Sequence, residues 1–400
     1  MNDLVVRRIG RLLTMAGTGV GALEDAAVVV RGGAIEWVGS DRDLPTGLGS
    51  VAELDAGGAC VTPGFVDPHT HLIWAGSRRE DFVDRLCGMS YAEIAALGGG
   101  IHSTVRATRA ASYDDLVAAA LSRVESASRN GTTTLEIKTG YGLNPRDESR
   151  LLDVAGAVRG LRPEAIEVTY LGAHAVPRDS GRTPYINEVL AELPNARARN
   201  AQWCDVFCDV GAFSVDESRR ILTAAREVGL GLRIHAEQIE RTGAAELAAE
   251  MGCASADHLD HVDAAGAVAM ATAGVVGVLL PACALTLGHG NWAAARTLQE
   301  AGVTIALGTD CNPGTSWCES MPYVIQLAVL AYRMPVEDAL RAATINAAAA
   351  LRRDDVGRVA VGQRGDLAVL AADHEADLVA HLGTTPVSAT VTAGTAVVWP

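Results

Sequence analysis

The chain has 400 residues, of which 49% are hydrophobic and 20% charged, a globular composition with length enough for a large core. Its formal net charge of −15 at pH 7 and pI of about 5.1 repel phosphate backbones and acidic lipid, which argues against nucleic-acid and membrane binding. No apolar run of about 18 residues is present to span a bilayer, and the first ten residues carry Arg7 and Arg8 but no apolar signal core, so a cytoplasmic protein is expected.

In chain order, residues 1–58 contain short Val- and Ile-rich runs broken by glycine, and AAVVVRGGAIEWVG (26–39) predicts a hairpin. From residue 59 the pattern changes to strand, helix, strand, helix. Strands are predicted at 59–66, 132–137, 166–171, 204–207, 232–234, 255–258, 275–280 and 304–307. Stretches rich in Ala, Leu and Glu separate most of them. Residues 114–129 and 216–228 have helical spacing, the second with Ser214 or Asp216 as N-cap. The long interval between the first two strands holds LGGGI (97–101) and predicts a helical insertion with a glycine-rich loop. Eight strands alternating with helices predict an α/β fold, a (β/α)₈ TIM barrel over residues 59–352. The last stretch, with GRVAVGQRGDLAVLAAD and ATVTAGTAVVW, returns to short strands. Residues 1–58 and 353–400 are therefore expected to pair into a small β-sandwich domain built from both termini.

The sharpest motif is PGFVDPHTH (63–71). His69 and His71 are two apart at the end of a strand, so both side chains point the same way, and at the C-terminal mouth of a barrel strand that side is the active site. Two imidazoles at that spacing can share an ion, although HxH alone is common by chance. Other ligand types recur at strand ends: His235 in LRIHAEQ, His258 in SADHL, Asp310 in ALGTDCNPGTS and His174 in YLGAH. Singly, each reads equally well as a hydrogen-bonded histidine or a turn-capping aspartate. Together, at the same end of different strands, they point to a site of three imidazoles and one carboxylate with room for a water, which suits Zn²⁺ or iron. His102, His261, His289, His374 and His381 read as surface or structural. The eight cysteines are scattered, and Cys204 and Cys208 read as small buried residues rather than a metal site.

These motifs resemble the amidohydrolase superfamily, and more narrowly its imidazolonepropionase family. The resemblance runs through EIKTGYGL, YLGAHAVP, HAEQ and TDCNPGTS to GDLAVL, and is most specific over GSRREDFVDRLCGMSYAEIAALGGGIHSTVRATRAAS (76–112), which barrel folding alone would not dictate. It implies a barrel with a β-sandwich, one divalent metal per subunit (Zn²⁺ or Fe²⁺/Fe³⁺), a cytoplasmic homodimer, and hydrolysis of 4-imidazolone-5-propanoate to N-formimidoyl-L-glutamate. By the same resemblance His69, His71, His235 and Asp310 hold the metal. Arg78, Tyr91, Tyr141 and His174 contact the substrate, with Asn312, Gly314 and Thr315 in the loop that holds the product. A guanidinium suits the propionate. Beside Arg79 and Glu80, Arg78 also reads as a surface residue, and Asn312-Pro313-Gly314 as a plain turn. Two-metal relatives bridge their ions with a carboxylated lysine at the fourth strand. That strand here lies in CDVFCDV, and the only lysine, Lys138, follows the second, so one metal is expected.

One position departs from part of the family. Many members carry glutamate three residues after the third histidine; here it is Gln238, and an amide is no general base. Gln238 is expected to hydrogen-bond the substrate ring, Glu237 to point away, and the catalytic proton transfers to fall to His258 and Asp310. Rival readings remain on sequence grounds: a related amidohydrolase acting on another cyclic amide, an aminohydrolase of purines or pyrimidines, and a metal-binding scaffold without activity.

Overall fold

A computed structural model describes residues 3–49, 51–89, 91–288, 292, 294–384 and 386–399, the side chains of residues 91, 92 and 95 excepted. Eight parallel strands form the barrel: β6 (Phe65–Asp67), β7 (Thr132–Lys138), β8 (Ala165–Ala173), β9 (Trp203–Cys208), β10 (Gly231–Ala236), β11 (Ser255–His258), β12 (Val276–Leu279) and β13 (Ile305–Leu307), each hydrogen-bonded to the next in sequence. The ring closes beyond the ends of β6 and β13. Asp310 N donates to His69 O (3.0 Å), His71 N donates to Cys311 O (2.9 Å), and the Asp67 carboxylate accepts from Thr309 N (3.0 Å) and Oγ1 (2.6 Å).

The strands are buried on both faces, β7 at every residue, as parallel strands covered by helices must be. The helices start where short polar side chains meet free backbone N–H groups. Ser112 caps Tyr113–Arg129, Asn144 caps Pro145–Leu161 ahead of a proline, and Ser214 forms a capping box with Glu217 at the start of Val215–Glu227. The predicted insertion is three helices, Arg79–Leu86, Tyr91–Ala96 and Ile101–Ala110.

The termini build one continuous mixed sheet. Its strands are β1 (Leu4–Leu13), β2 (Ala22–Arg31), β3 (Ala34–Ser40), β4 (Ala52–Asp55), β5 (Cys60–Pro63), β14 (Leu367–Leu370), β15 (Val387–Thr392) and β16 (Thr395–Val398). The hairpin of β2 and β3 turns on Gly32 and Gly33, whose φ of 57° and 86° suit a type I′ turn. The sheet has its own apolar cluster, in which Val6, Ile9, Val28, Val61, Leu367 and Val391 meet.

The strand predicted over 59–66 is in fact two. Residues 60–63 run in the terminal sheet, parallel to β1 and antiparallel to β14, and residues 65–67 open the barrel. Gly64 is the switch: its N–H donates to Asp366 O (3.0 Å), and a Cβ there would lie 2.2 Å from Thr133 Oγ1, so only glycine lets the chain pass. The terminal sheet therefore takes four residues that the sequence reading gave to the barrel.

Candidate metal centre and active site

Beyond β6 the chain stays extended, so residues 69 and 71 face the barrel mouth while Thr70 turns back and donates to Glu136 O. His235 lies next to last in β10, His258 ends β11, and Asp310 follows β13, so the four histidines and the aspartate converge from the ends of four strands. The ring centroids of His69 and His235 are 4.5 Å apart, those of His69 and His71 5.3 Å, and those of His235 and His258 5.2 Å. Asp310 Oδ1 is 3.5 Å from Nε2 of both His69 and His71. Glu237, His258, Leu259 and Asp310 have φ between 50° and 77°, a conformation that L-residues adopt at a cost and that concentrates at functional sites.

This donor set fits a divalent ion. His69 Nε2 and His235 Nε2 are buried with no hydrogen-bond partner among the described residues, and such a nitrogen is expensive unless something satisfies it. Burial, followed by the neighbouring cations, holds His69 and His71 well below the usual imidazole range, so both are neutral, the form that ligates. Burial raises Asp310 to about 6.

Behind the histidines lies a buried layer of charge that the sequence reading missed. Asp257 Oδ2 is 2.7 Å from His69 Nδ1, and Asp205 Oδ2 is 3.0 Å from His235 Nδ1. Lys138, the last residue of β7, places Nζ 2.6 Å from Asp205, 2.8 Å from Glu136 and 3.6 Å from Asp257, and Arg233 Nε is 3.3 Å from Glu136. All five are fully buried. Burial opposes the charge of Asp205, but His235 and Lys138 outweigh it and hold the carboxyl well below its usual range. Carboxylates in this position fix the tautomer and orientation of a ligating imidazole. The sequence did carry a signal in two of the strands: Asp205 interrupts the apolar run WCDVFC and Arg233 the run GLRI.

On the rim, Tyr141 is buried with its ring 6.0 Å from that of His71, and His174 stacks on His71 at 5.1 Å while its Nδ1 meets Gly140 O at 3.1 Å. Arg78 is buried and bonded to Asp81 (2.8 Å), not the surface arginine that its neighbours suggested. Its guanidinium lies against Gly314, where a Cβ would come within 2.0 Å of Arg78 Nη1. Arg85, which sequence reasoning passed over, donates to Gly314 O (3.3 Å), and no carboxylate pairs with it among the described residues. Asn312 holds the loop itself: its Oδ1 accepts from Gly314 N and Thr315 N, both at 2.8 Å, and its Nδ2 donates to Asp310 O (2.6 Å). The turn reading of that segment is thus correct at Asn312, with Gly314 and Thr315 presented by it.

Gln238 Nε2 donates to Cys283 Sγ (3.4 Å), a contact that the sequence did not suggest. Glu237 turns away, as expected, and accepts from Arg241 (2.8 Å) and Gly243 N (2.9 Å). Tyr91 opens a helix of the insertion, but its side chain is outside the described residues, as is His289.

The family model for the amidohydrolase family matches residues 60–397. The chain belongs to the amidohydrolase family. Within the family its curated relatives include an imidazolonepropionase from Syntrophobacter fumaroxidans, 46% identical over 369 residues that cover 90% of this chain and 87% of the relative. Another, from Salinispora arenicola, is 45% identical and covers 93% of each. Among solved structures, a zinc-bound adenosine deaminase from Xanthomonas campestris superimposes with a TM-score of 0.76 at 19% identity, covering 98% of this chain and 92% of its own. At that identity the likeness is one of amidohydrolase fold alone. This amidohydrolase groups with the imidazolonepropionases and is a hydrolase of carbon–nitrogen bonds in cyclic amides. Among its described residues, no helix is long and apolar enough to cross a membrane.

Proposed function

We propose that the chain hydrolyses the cyclic amide of 4-imidazolone-5-propanoate to N-formimidoyl-L-glutamate, with His69, His71, His235 and Asp310 holding one Zn²⁺ or iron ion. The observation that carries this reading is the pairing, at one barrel mouth, of that ligand set with a guanidinium-lined loop at residues 312–315. A divalent ion at this position supplies Lewis acidity to the ring carbonyl and to the attacking water.

The chain's own residues do the rest. His258, with its ring 5.4 Å from that of His69, orients the water and takes its proton as oxygen attacks the amide carbon. Asp310 relays that proton from His258 to the departing ring nitrogen. Arg78 and Arg85 clamp the propionate, which converts part of the barrier into prior positioning. Arg85 carries more of that charge, because Asp81 already balances Arg78. Gln238, Tyr141 and His174 border the ring. A neutral purine or pyrimidine would leave Arg85 without a counter-charge in a half-buried place. The same reading makes the protein a cytoplasmic homodimer, in keeping with its acidic surface and free cysteines.

The test is direct: purified protein of known metal content is incubated with 4-imidazolone-5-propanoate while ring absorbance is followed and the product identified by mass. Decay with formation of N-formimidoyl-L-glutamate supports the reading. A metal-replete protein that leaves the compound intact refutes it.

A further inference from the structure

A second set of donors lies beside the first. Cys283, in the helix Pro281–Leu287 after β12, is fully buried. Its Sγ, a ring nitrogen of His258 and a carboxylate oxygen of Asp310 all lie within 4.8 Å of one another. His69, His71 and Asp310 satisfy the same condition, as do His69, His235 and His258, so of the second set Asp310 and His258 also neighbour the principal ligands and Cys283 is the donor that sets it apart. A carboxylate has two oxygens and can serve two ions at once. Bond lengths of about 2.0–2.3 Å to zinc place ligand atoms roughly 3.4–3.8 Å apart, so rotamer-scale contraction completes the site.

We propose that this barrel mouth takes a second, thiophilic divalent cation of the Zn²⁺ or Cd²⁺ class at His258, Cys283 and Asp310, next to the ion of the principal site. The donor set selects the ion: a thiolate with an imidazole favours zinc-like cations over Mg²⁺ and Ca²⁺, which prefer oxygen. On binding, the thiol proton leaves to solvent and an S–metal bond replaces S–H, with no change of oxidation state. Gln238 Nε2, now 3.4 Å from Sγ, remains a donor to the thiolate. Occupation removes His258 from the handling of water, so the second ion is inhibitory. That last step rests on the role proposed for His258, whereas the binding itself does not.

The experiment titrates metal-free protein with Co²⁺, which reports thiolate ligation by a charge-transfer band in the near ultraviolet. Equilibrium dialysis with elemental analysis counts ions per chain alongside. The expected wild-type result is two ions, with the band arising only as the second binds. Cys283→Ser is expected to bind one ion and show no band. A wild-type stoichiometry of one overturns the proposal, whether or not the variant folds. So does a band that arises with the first ion, or one that persists in Cys283→Ser. In a parallel assay with Zn²⁺, activity should fall across the second equivalent. Two ions with undiminished activity would keep the site and sink the inhibition. A protein inactive at every loading would fault the proposed reaction and leave the count of ions as it stands.

Discussion

The Nδ1 atom of His69 meets Oδ2 of Asp257 at 2.7 Å, and both residues are wholly buried. Nδ1–H donates a hydrogen bond to the carboxylate, which leaves Nε2 aimed at Asp310. Asp257→Asn keeps the volume but weakens the acceptor, and metal affinity is expected to fall about 10–100-fold. Competition with a chelator of known affinity measures it; an affinity equal to wild type would reduce Asp257 to a packing residue.

His69→Ala and His235→Ala are each expected to weaken binding of the principal metal strongly, because each removes one of its four proposed ligands and leaves a buried gap in the shell. Elemental analysis after dialysis checks this. Full occupancy in either variant would take that histidine out of the ligand set.

Arg85→Met is expected to raise KM more than it lowers kcat, costing on the order of 2–4 kcal/mol in kcat/KM, as for loss of a desolvated ion partner. Gly314→Ala should act in the same direction by another route. The added Cβ displaces the far end of Arg78, a flexible group, so the fold survives while the clamp is disturbed. Steady-state kinetics and thermal melts together decide: a collapsed melting temperature would mean that Gly314 serves the fold instead.

His258→Asn is expected to cut kcat by about 10²–10⁴, the range for a positioned acid–base group, with the content of the principal metal unchanged. Near-normal turnover would move the handling of water to another residue. Gln238→Glu should be far milder.

Glu375 grips Arg11 through two bonds of 2.7 and 2.9 Å, tying the loop after β14 to β1. Burial opposes its charge, but Arg11 outweighs burial and holds its pKa below the usual carboxylate range. A lowered folded pKa stabilises above the unfolded value of about 4.3, and that contribution is lost as pH falls below it through the folded pKa. Glu375→Gln should therefore lower stability at pH 7, and the difference from wild type should shrink below about pH 4. Denaturant melts at pH 7 and pH 3.5 test the sign.

Much of the barrel was legible because its strands are apolar runs and its ligands stand at their ends. Strand β11 coincides with its predicted bounds, and β7 extends its prediction by one residue. The Pro63-Gly64 break was visible as a turn signal yet was overridden by the apolar run around it. The layer formed by Glu136, Lys138, Asp205, Arg233 and Asp257 was not legible as a unit, because its members come from four strands and meet only once the ring closes. Arg85 and Cys283 were passed over for a similar reason: nothing local marks a helical arginine or cysteine as facing a site built from distant loops.

The one-residue passage at Gly64 also orders events during synthesis. Strand β5 pairs Val61 with Val369, so most of the chain must leave the ribosome before that ladder can form. The early strands wait with an open edge, a state prone to mispairing between nascent chains. Closure of the barrel at His69–Asp310 and His71–Cys311 comes due when residue 311 emerges, before the terminal sheet can be finished. The last strands then act as a latch set after the catalytic chamber has taken shape, so truncation just after residue 360 should yield a chain that collapses around its metal ligands yet aggregates through the unlatched edge of β5.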